Sequence, residues 1–305
     1  MKAWRRFKRS YVLYSFKRDP VAIFSFSVLA ILSLISVLAP VIAPYNTYDT
    51  ATFDILDAET PPVWMGGGNE DFLLGTDIQG RDLLSTMIYG LRVSMLIGCG
   101  AVLLQAFVGI LIGLFSGYVG GKMDAFLMRI ADIQFSIPYL IVAIFTSAIF
   151  KLAFGVGRYE ELAVPLLIII IGISEWPKYA RTVRASVLGE KNKEYVEAAR
   201  VIGISRWLIM FRHVLPNTMT PVLVISTIQV AEAVMSEAAL SFLGLGMPIT
   251  KPSLGALIRS GFEYIFSGSW WITFFPGVLL VILILVILLL GDWLRDVLNP
   301  KLYKG

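Results

Sequence analysis

The chain has 305 residues, of which 57% are hydrophobic and 16% charged, against roughly 45–50% and about 25% in a soluble domain. Both figures move away from a water-soluble globular protein and toward the bilayer. The formal net charge of +4 is modest, so placement matters more than sum, and the single cysteine, Cys99, excludes an internal disulfide and has no metal-ligand neighbours.

The chain opens on a basic arm carrying Lys2, Arg5, Arg6, Lys8, Arg9, Lys17 and Arg18. The apolar run that follows, Val21 to Ala43, is far longer than the ~7–15-residue core of a signal peptide, and no small-residue cleavage site breaks it. It is expected to be an uncleaved first span. A helix needs about 20 mostly apolar residues to cross a bilayer, and six segments approach this: 21–43, 93–117, 133–153, 162–182, 218–240 and 271–291. The third is preceded by Asp124, Arg129 and Asp132, the last two spaced to pair locally. The fourth carries Glu175 and Lys178 near its end. The second carries Gly109, Gly113 and Gly117, a stripe of small residues that would let another helix approach closely. Trp270, Trp271 and Trp293 flank the last span, as interfacial aromatic belts do.

Between the first two spans, Pro44 to Leu91 holds eight acids and one basic residue, Arg81. Its Gly66-Gly67-Gly68 run has no following Gly-Lys-Ser/Thr, so it is expected to be a turn and not a phosphate cradle. Summed over alternate segments, twenty lysines and arginines fall on one side of the membrane and five on the other, with Arg92 at a boundary. The positive-inside rule therefore puts both termini, and the segment Lys178 to Pro216, in the cytoplasm. That segment holds two short helical patterns, one around Lys193–Arg200 and one from Ile204 to His213. Ser205 is a candidate N-cap, and Gly203 suits the break between them. Trp207, Leu208, Met210 and Phe211 are too apolar for a free loop. Either a protein docks on the low relief of Ala198 and Ala199, or the hairpin lies on the lipid surface.

Glu197-Ala198-Ala199, Gly203 and Leu215-Pro216 resemble the EAA loop of bacterial ABC importer permeases, with His213 at the usual isoleucine position. Leu74-Gly75-Thr76-Asp77 with Gly80-Arg81-Asp82, the run Ser241 to Gly246, and Leu290-Gly291-Asp292 through Asn299-Pro300 are similar to motifs of the dipeptide/oligopeptide branch. The resemblance covers nearly the whole chain. It implies an all-α polytopic membrane protein with six transmembrane helices, one N-terminal plus a five-helix type I importer core of MetI-like fold. The division it suggests is 1–44 arm and first helix, 45–91 extracytoplasmic loop, 92–292 permease domain with coupling loop 178–216, and 293–305 tail.

By the same resemblance, the chain forms half of a translocation pathway for peptides in the bacterial inner membrane and has no catalytic residues of its own. Its expected partners are a second, related permease, two ATPase subunits that carry ATP and magnesium, and an external solute-binding protein. Neither metal nor nucleic acid is expected as a ligand of this chain. Glu197, Ala198, Ala199, Arg200, Gly203, Leu215 and Pro216 are expected to couple to the ATPase. Among the intramembrane charges, Glu232 and Glu237 are pathway or gate candidates, with pairing to another helix as the other reading of Glu237. They lie five residues apart and so do not share a helix face. His213 is expected to make a loop contact. A lone carrier would call for inverted repeats and polar substrate ligands within the spans. A membrane enzyme would call for a nucleophile–base pair at depth. Neither signature is present in the sequence.

Overall fold

The computed structural model describes residues 11–298 apart from Thr50 and Thr52. Lys2 to Arg9 of the basic arm, together with Asn299, Pro300, Lys301 and Lys304 of the tail, lie outside the described residues. Regular structure among the described residues is helical, save one isolated bridge between Thr76 and Asp82. The elements are α1 (Tyr11–Arg18), α2 (Pro20–Val37), α3 (Ala39–Ile42), α4 (Leu83–Val119), α5 (Gly121–Ser136), α6 (Tyr139–Glu190), α7 (Glu194–Val201), α8 (Arg206–Leu208), α9 (Leu215–Asn217), α10 (Met219–Phe242), α11 (Leu254–Phe262) and α12 (Trp271–Leu298).

Five of these, α2, α4, α6, α10 and α12, are long and apolar enough to cross a membrane. They account for the six expected spans, because α6 carries most of the third and all of the fourth. Its 52 residues are interrupted at Gly155, whose φ of 81° and ψ of 163° leave the helical region. Asp124 contacts Arg184, Asp132 contacts Arg181, and Phe150 contacts Tyr159. Each pair sums to nearly the same residue number, as an antiparallel hairpin folded near Gly155 requires. The third crossing is therefore composite: α5, a break at Ile137-Pro138, then residues 139–154. The fourth is the remainder of α6. Asp132 bonds Arg181 at 2.8 Å rather than Arg129, which corrects the expected local pair. The hairpin brings the distant guanidinium closer than a surface (i, i+3) neighbour.

Capping chemistry sets two helix starts. Asp19 accepts the backbone N–H groups of Val21 and Ala22 at 2.9 and 3.1 Å, with Pro20 in the first turn of α2. Asp82 accepts from Ser85 N at 2.8 Å and Ser85 Oγ at 2.5 Å. This cap starts α4 at Leu83, ten residues before the expected span, since hydropathy marks where lipid begins and not where the helix does.

The most extensive pairing is α4 against α6, and the glycine stripe is its cause. A Cβ on Gly109 would lie 2.7 Å from Trp176 O, one on Gly113 2.4 Å from Ala180 O, and one on Gly117 2.9 Å from Val187 Cβ. The core continues through α10 into the loop between α6 and α10 by way of Val196, Ala199, Ile209, Met210 and Val214. A second cluster joins Leu32 of α2 to Leu91, Val234, Leu283 and Ile287, so α2 packs on α4 and α12.

The loop between α3 and α4 is anchored by its motif residues. The Arg81 side chain donates to Asp77 Oδ2 at 2.7 Å and to Ile249 O at 3.0 Å, Asp77 accepts from Gln79 N and Arg81 N, and Trp271 Nε1 donates to Thr76 O at 3.2 Å. Gly80, at φ 76°, faces Asp54 O so closely that no side chain fits. The Gly66–Gly68 run is a turn, as expected.

Candidate functional site

Two constellations stand apart from the packing. The first is the loop between α6 and α10. Glu194 and Glu197 occupy the first turn of α7 and Arg200 the last, the arrangement that complements the helix dipole. The helix ends in a Schellman motif. Gly203 takes φ 84°, Ile204 N donates to Ala199 O at 3.1 Å, and Gly203 N donates to Arg200 O at 3.0 Å. Ser205 then caps α8, donated to by Leu208 N at 3.4 Å. A π-helical turn, Ile209–Val214, follows and runs into α9. Ile209, Met210 and Val214 are buried in the core, whereas Trp207 and Leu208 stay exposed.

The base of this loop is tied shut. Tyr195 Oη donates to Glu190 Oε1 at 2.6 Å, Lys193 pairs with Glu190 at 2.7 Å, and Asn217 Nδ2 donates to His213 O at 2.7 Å and to Tyr195 Oη at 3.2 Å. Burial, and after it the bond to Glu190, pushes the Tyr195 hydroxyl above its ordinary pKa, which keeps it a donor. The His213 carbonyl closes the loop. These bonds tie the start of α7 to the end of α6 and to α9.

Glu197, Ala198 and Arg200 face outward. Ala199 does not. It is 6% exposed and packs with Val196 against the core. The low-relief surface expected of the alanine pair therefore belongs to Ala198 alone, because adjacent residues on a helix point about 100° apart. Gly203 has open space around it, so its requirement is the left-handed backbone and not close approach. Leu215 is half-buried and Pro216 is exposed at the start of α9.

The second constellation lies within the helices. On the second half of α6, Leu162, Ile169 and Ile173 are exposed. At 100° per residue, Glu175, Lys178, Thr182 and Ser186 fall on the opposite face. Lys178 Nζ lies 2.5 Å from Glu232 Oε2 on α10, 2.7 Å from Glu175 Oε2 and 3.5 Å from Gln229 Oε1. Gln229 donates to Gln105 of α4 at 3.2 Å, and Gln105 to Ile171 O at 3.3 Å. The seam opens in one direction: Gln105 and Gln229 are buried, the Lys178 side chain is 27% exposed and that of Glu232 42%. A half-open carboxylate at this depth cannot face hydrocarbon without a large penalty. The polar seam and the exposed isoleucines therefore lie on opposite faces of α6.

Glu232 is thus half-open at this seam, and Glu237 is not part of it. Glu237 is fully buried. It accepts hydrogen bonds from Ser94 Oγ at 2.7 Å and Ser241 Oγ at 2.6 Å, Leu254 N donates to Ser94 Oγ at 3.3 Å, and Met247 N donates to Ser241 Oγ at 2.9 Å. The bond from Ser94 is a contact with another helix, and the chain reversal at Ser241–Gly246 accounts for the burial. With Gly244 at φ 79°, this turn folds α11 back over the end of α10 and encloses the carboxyl. Tyr159 Oη, 2.6 Å from Leu245 O and 2.8 Å from Gly246 O, pins the same turn to α6.

In the sequence, Lys178 reads as a blemish in a span, although its (i, i+3) spacing from Glu175 is visible there. Gln105 and Gln229 give no signal, since single amides in apolar runs acquire meaning only when the fold joins them.

Residues 109–304 match the family described as the binding-protein-dependent transport system inner membrane component, and residues 1–62 match the N-terminal transmembrane domain of oligopeptide transport permease C. The di/tripeptide transport system permease protein DppC of Pseudomonas aeruginosa is 39% identical over 88% of this chain and 84% of its own length. The dipeptide permease DppC of Haemophilus influenzae is 37% identical over 95% and 93%, and the oligopeptide permease OppC of Bacillus subtilis 34% identical over 95% and 88%. Among solved structures, a chain of the inward-facing MetNI methionine ABC transporter superposes with a TM-score of 0.56 at 21% identity, covering 70% of this chain and 97% of that one. That likeness establishes the fold.

Proposed function

The chain belongs to the family of binding-protein-dependent transport system inner-membrane components, and from that membership we propose that it is one of two permease subunits of an ATP-driven peptide importer. It is a multi-pass transport permease of the ABC importer family and not a catalytic subunit. In this reading, a related permease completes the pathway, two ATPases dock on the cytoplasmic loop and hold ATP and magnesium, and an external solute-binding protein delivers peptide. Both termini face the cytoplasm.

The observation that carries the reading is the tied loop with its outward Glu197–Ala198–Arg200 face. A short helix whose base is bonded to α6 and to α9, which leads into α10, transmits a push at Ala198 to the helices bearing the Glu175–Lys178–Glu232 seam. Glu197 offers a carboxylate to a basic or backbone partner on the ATPase, and Ala198 permits close approach. Arg200 sits at the helix end, while Gly203, Leu215 and Pro216 set the bends on either side. The seam lines the aqueous pathway, and peptides are the substrate class by analogy with the relatives.

The test is reconstitution of the chain with its partner permease and ATPases in liposomes. Ala198→Trp is expected to leave insertion and assembly of the permease pair intact while abolishing ATP-driven uptake. Uptake at the wild-type rate by this variant would refute the coupling assignment.

A further inference from the structure

Where α4 ends against the cytoplasmic loop lies a cavity of about 430 Å³, lined by Phe115, Tyr118, Arg200, Arg206, Trp207 and Met210 among others. Its walls are aromatic. Phe115 meets Trp207 edge-on at 5.5 Å and Phe211 at 6.3 Å, while Trp207 and Phe211 are nearly parallel at 6.4 Å. Its charges are of one sign. Arg200 donates to a backbone carbonyl, Lys191 O, at 3.3 Å, and the Arg206 side chain makes neither hydrogen bond nor ion pair among the described residues, the bond from Ile209 N to Arg206 O being a backbone one. No carboxylate among the described residues neutralises either guanidinium.

An exposed apolar stripe on α4 leads toward this cavity. Leu96, Leu103, Phe107, Leu111 and Tyr118 follow one another at seven, four, four and seven residues, which keeps them on one side of α4. The first three are exposed, and Tyr118 is itself a cavity wall. An apolar stripe that ends on aromatic rings and then on two unneutralised guanidiniums has the order of an acyl chain, an interface and a phosphate.

We propose that the cavity binds the headgroup phosphate of an anionic phospholipid from the cytoplasmic leaflet, with an acyl chain along the α4 stripe. Arg206 supplies the principal charge and Trp207 the interfacial wall. This rests on the orientation proposed above. Because Arg200 ends the helix that carries Glu197 and Ala198, the site would make coupling sensitive to lipid charge. An ATPase surface is the competing occupant, but it would have no use for the stripe that descends from membrane depth.

The assembled complex would be placed in nanodiscs of phosphatidylcholine alone and of phosphatidylcholine with phosphatidylglycerol. Retained phosphatidylglycerol would be counted by native mass spectrometry and its apparent affinity taken from titration. Arg206→Gln should weaken phosphatidylglycerol binding roughly fivefold, the loss expected for one basic residue at an anionic surface. Arg206→Lys should keep most of the binding. In phosphatidylcholine alone, Arg206→Gln should assemble with its ATPases as the wild type does. Equal phosphatidylglycerol retention by wild type and Arg206→Gln would overturn the proposal. So would loss of ATPase subunits from Arg206→Gln in both lipids, which would give the cavity to the ATPase. A wild-type complex that holds phosphatidylglycerol but moves no peptide would count against the importer reading and not against the site.

Discussion

Ala198 and Ala199 are neighbours in sequence with opposite surroundings, and the pair separates coupling from folding. Ala198→Trp adds a ring to an exposed face. Ala199→Trp forces the same ring into the core beside Val196, where overpacking typically costs about 1–3 kcal/mol. Ala199→Trp is therefore expected to lower the melting temperature of the detergent-solubilised protein by several degrees, and Ala198→Trp to leave it unchanged; equal melting of the two would contradict the assigned faces. Glu237 and Lys178 separate in the same way. Glu237→Ala strips the acceptor from two serines and is expected to destabilise the protein. Glu237→Gln keeps acceptor and donor capacity and should recover most of the loss in a thermal melt. Lys178→Met leaves Glu175 and Glu232 without their cation on an open face, so its main effect is expected on transport rate, with expression near wild type. The Asp82 cap has a pH signature. Burial raises its carboxyl above the usual value against the bonds from Ser85. A raised folded pKa contributes stability below the unfolded value of about 3.9 and loses it as pH rises through the folded one. At neutral pH, Asp82→Asn, still a good cap, should therefore melt no lower than wild type, while Asp82→Ala should lose about 1 kcal/mol.

At the scale of elements, the glycine stripe makes a steep prediction. Gly113→Leu would drive a branched side chain toward Ala180 O, which already lies 2.4 Å from where a Cβ would stand. The α4–α6 pair would part, and the variant is expected to fail in membrane accumulation, whereas Gly157→Ala, with open space around it, should accumulate normally. The stripe was legible in sequence, as were the apolar runs, Ser205 and Gly203, because each signals through local spacing or backbone need. What was not legible depended on distant contacts. The pairing of Asp132 with Arg181, and not Arg129, follows from the hairpin near Gly155. The enclosure of Glu237 follows from the turn at Gly244. An intramembrane carboxylate looks the same in sequence whether a pathway or three helices surround it.

Across the whole molecule, charge asymmetry and fold make a joint statement. The turn-rich loop anchored by Arg81 and the loop tied by Tyr195 lie at opposite ends of α4, α6 and α10, and the basic residues gather at the Tyr195 end. In a Cys99→Ser background, Asn69→Cys should be labelled by an impermeant thiol reagent from outside the cell and Ala198→Cys only from inside. The reverse pattern would invert the topology and leave the coupling face without an ATPase. The central claim is that this chain carries peptide only when ATP hydrolysis pushes on α7, and it is tested most directly by peptide accumulation in proteoliposomes of the assembled complex with ATP supplied on the ATPase side. Accumulation that needs ATP and the solute-binding protein, and that disappears in Ala198→Trp, is the predicted result. Accumulation by this chain without the ATPases, or undiminished in Ala198→Trp, would contradict it.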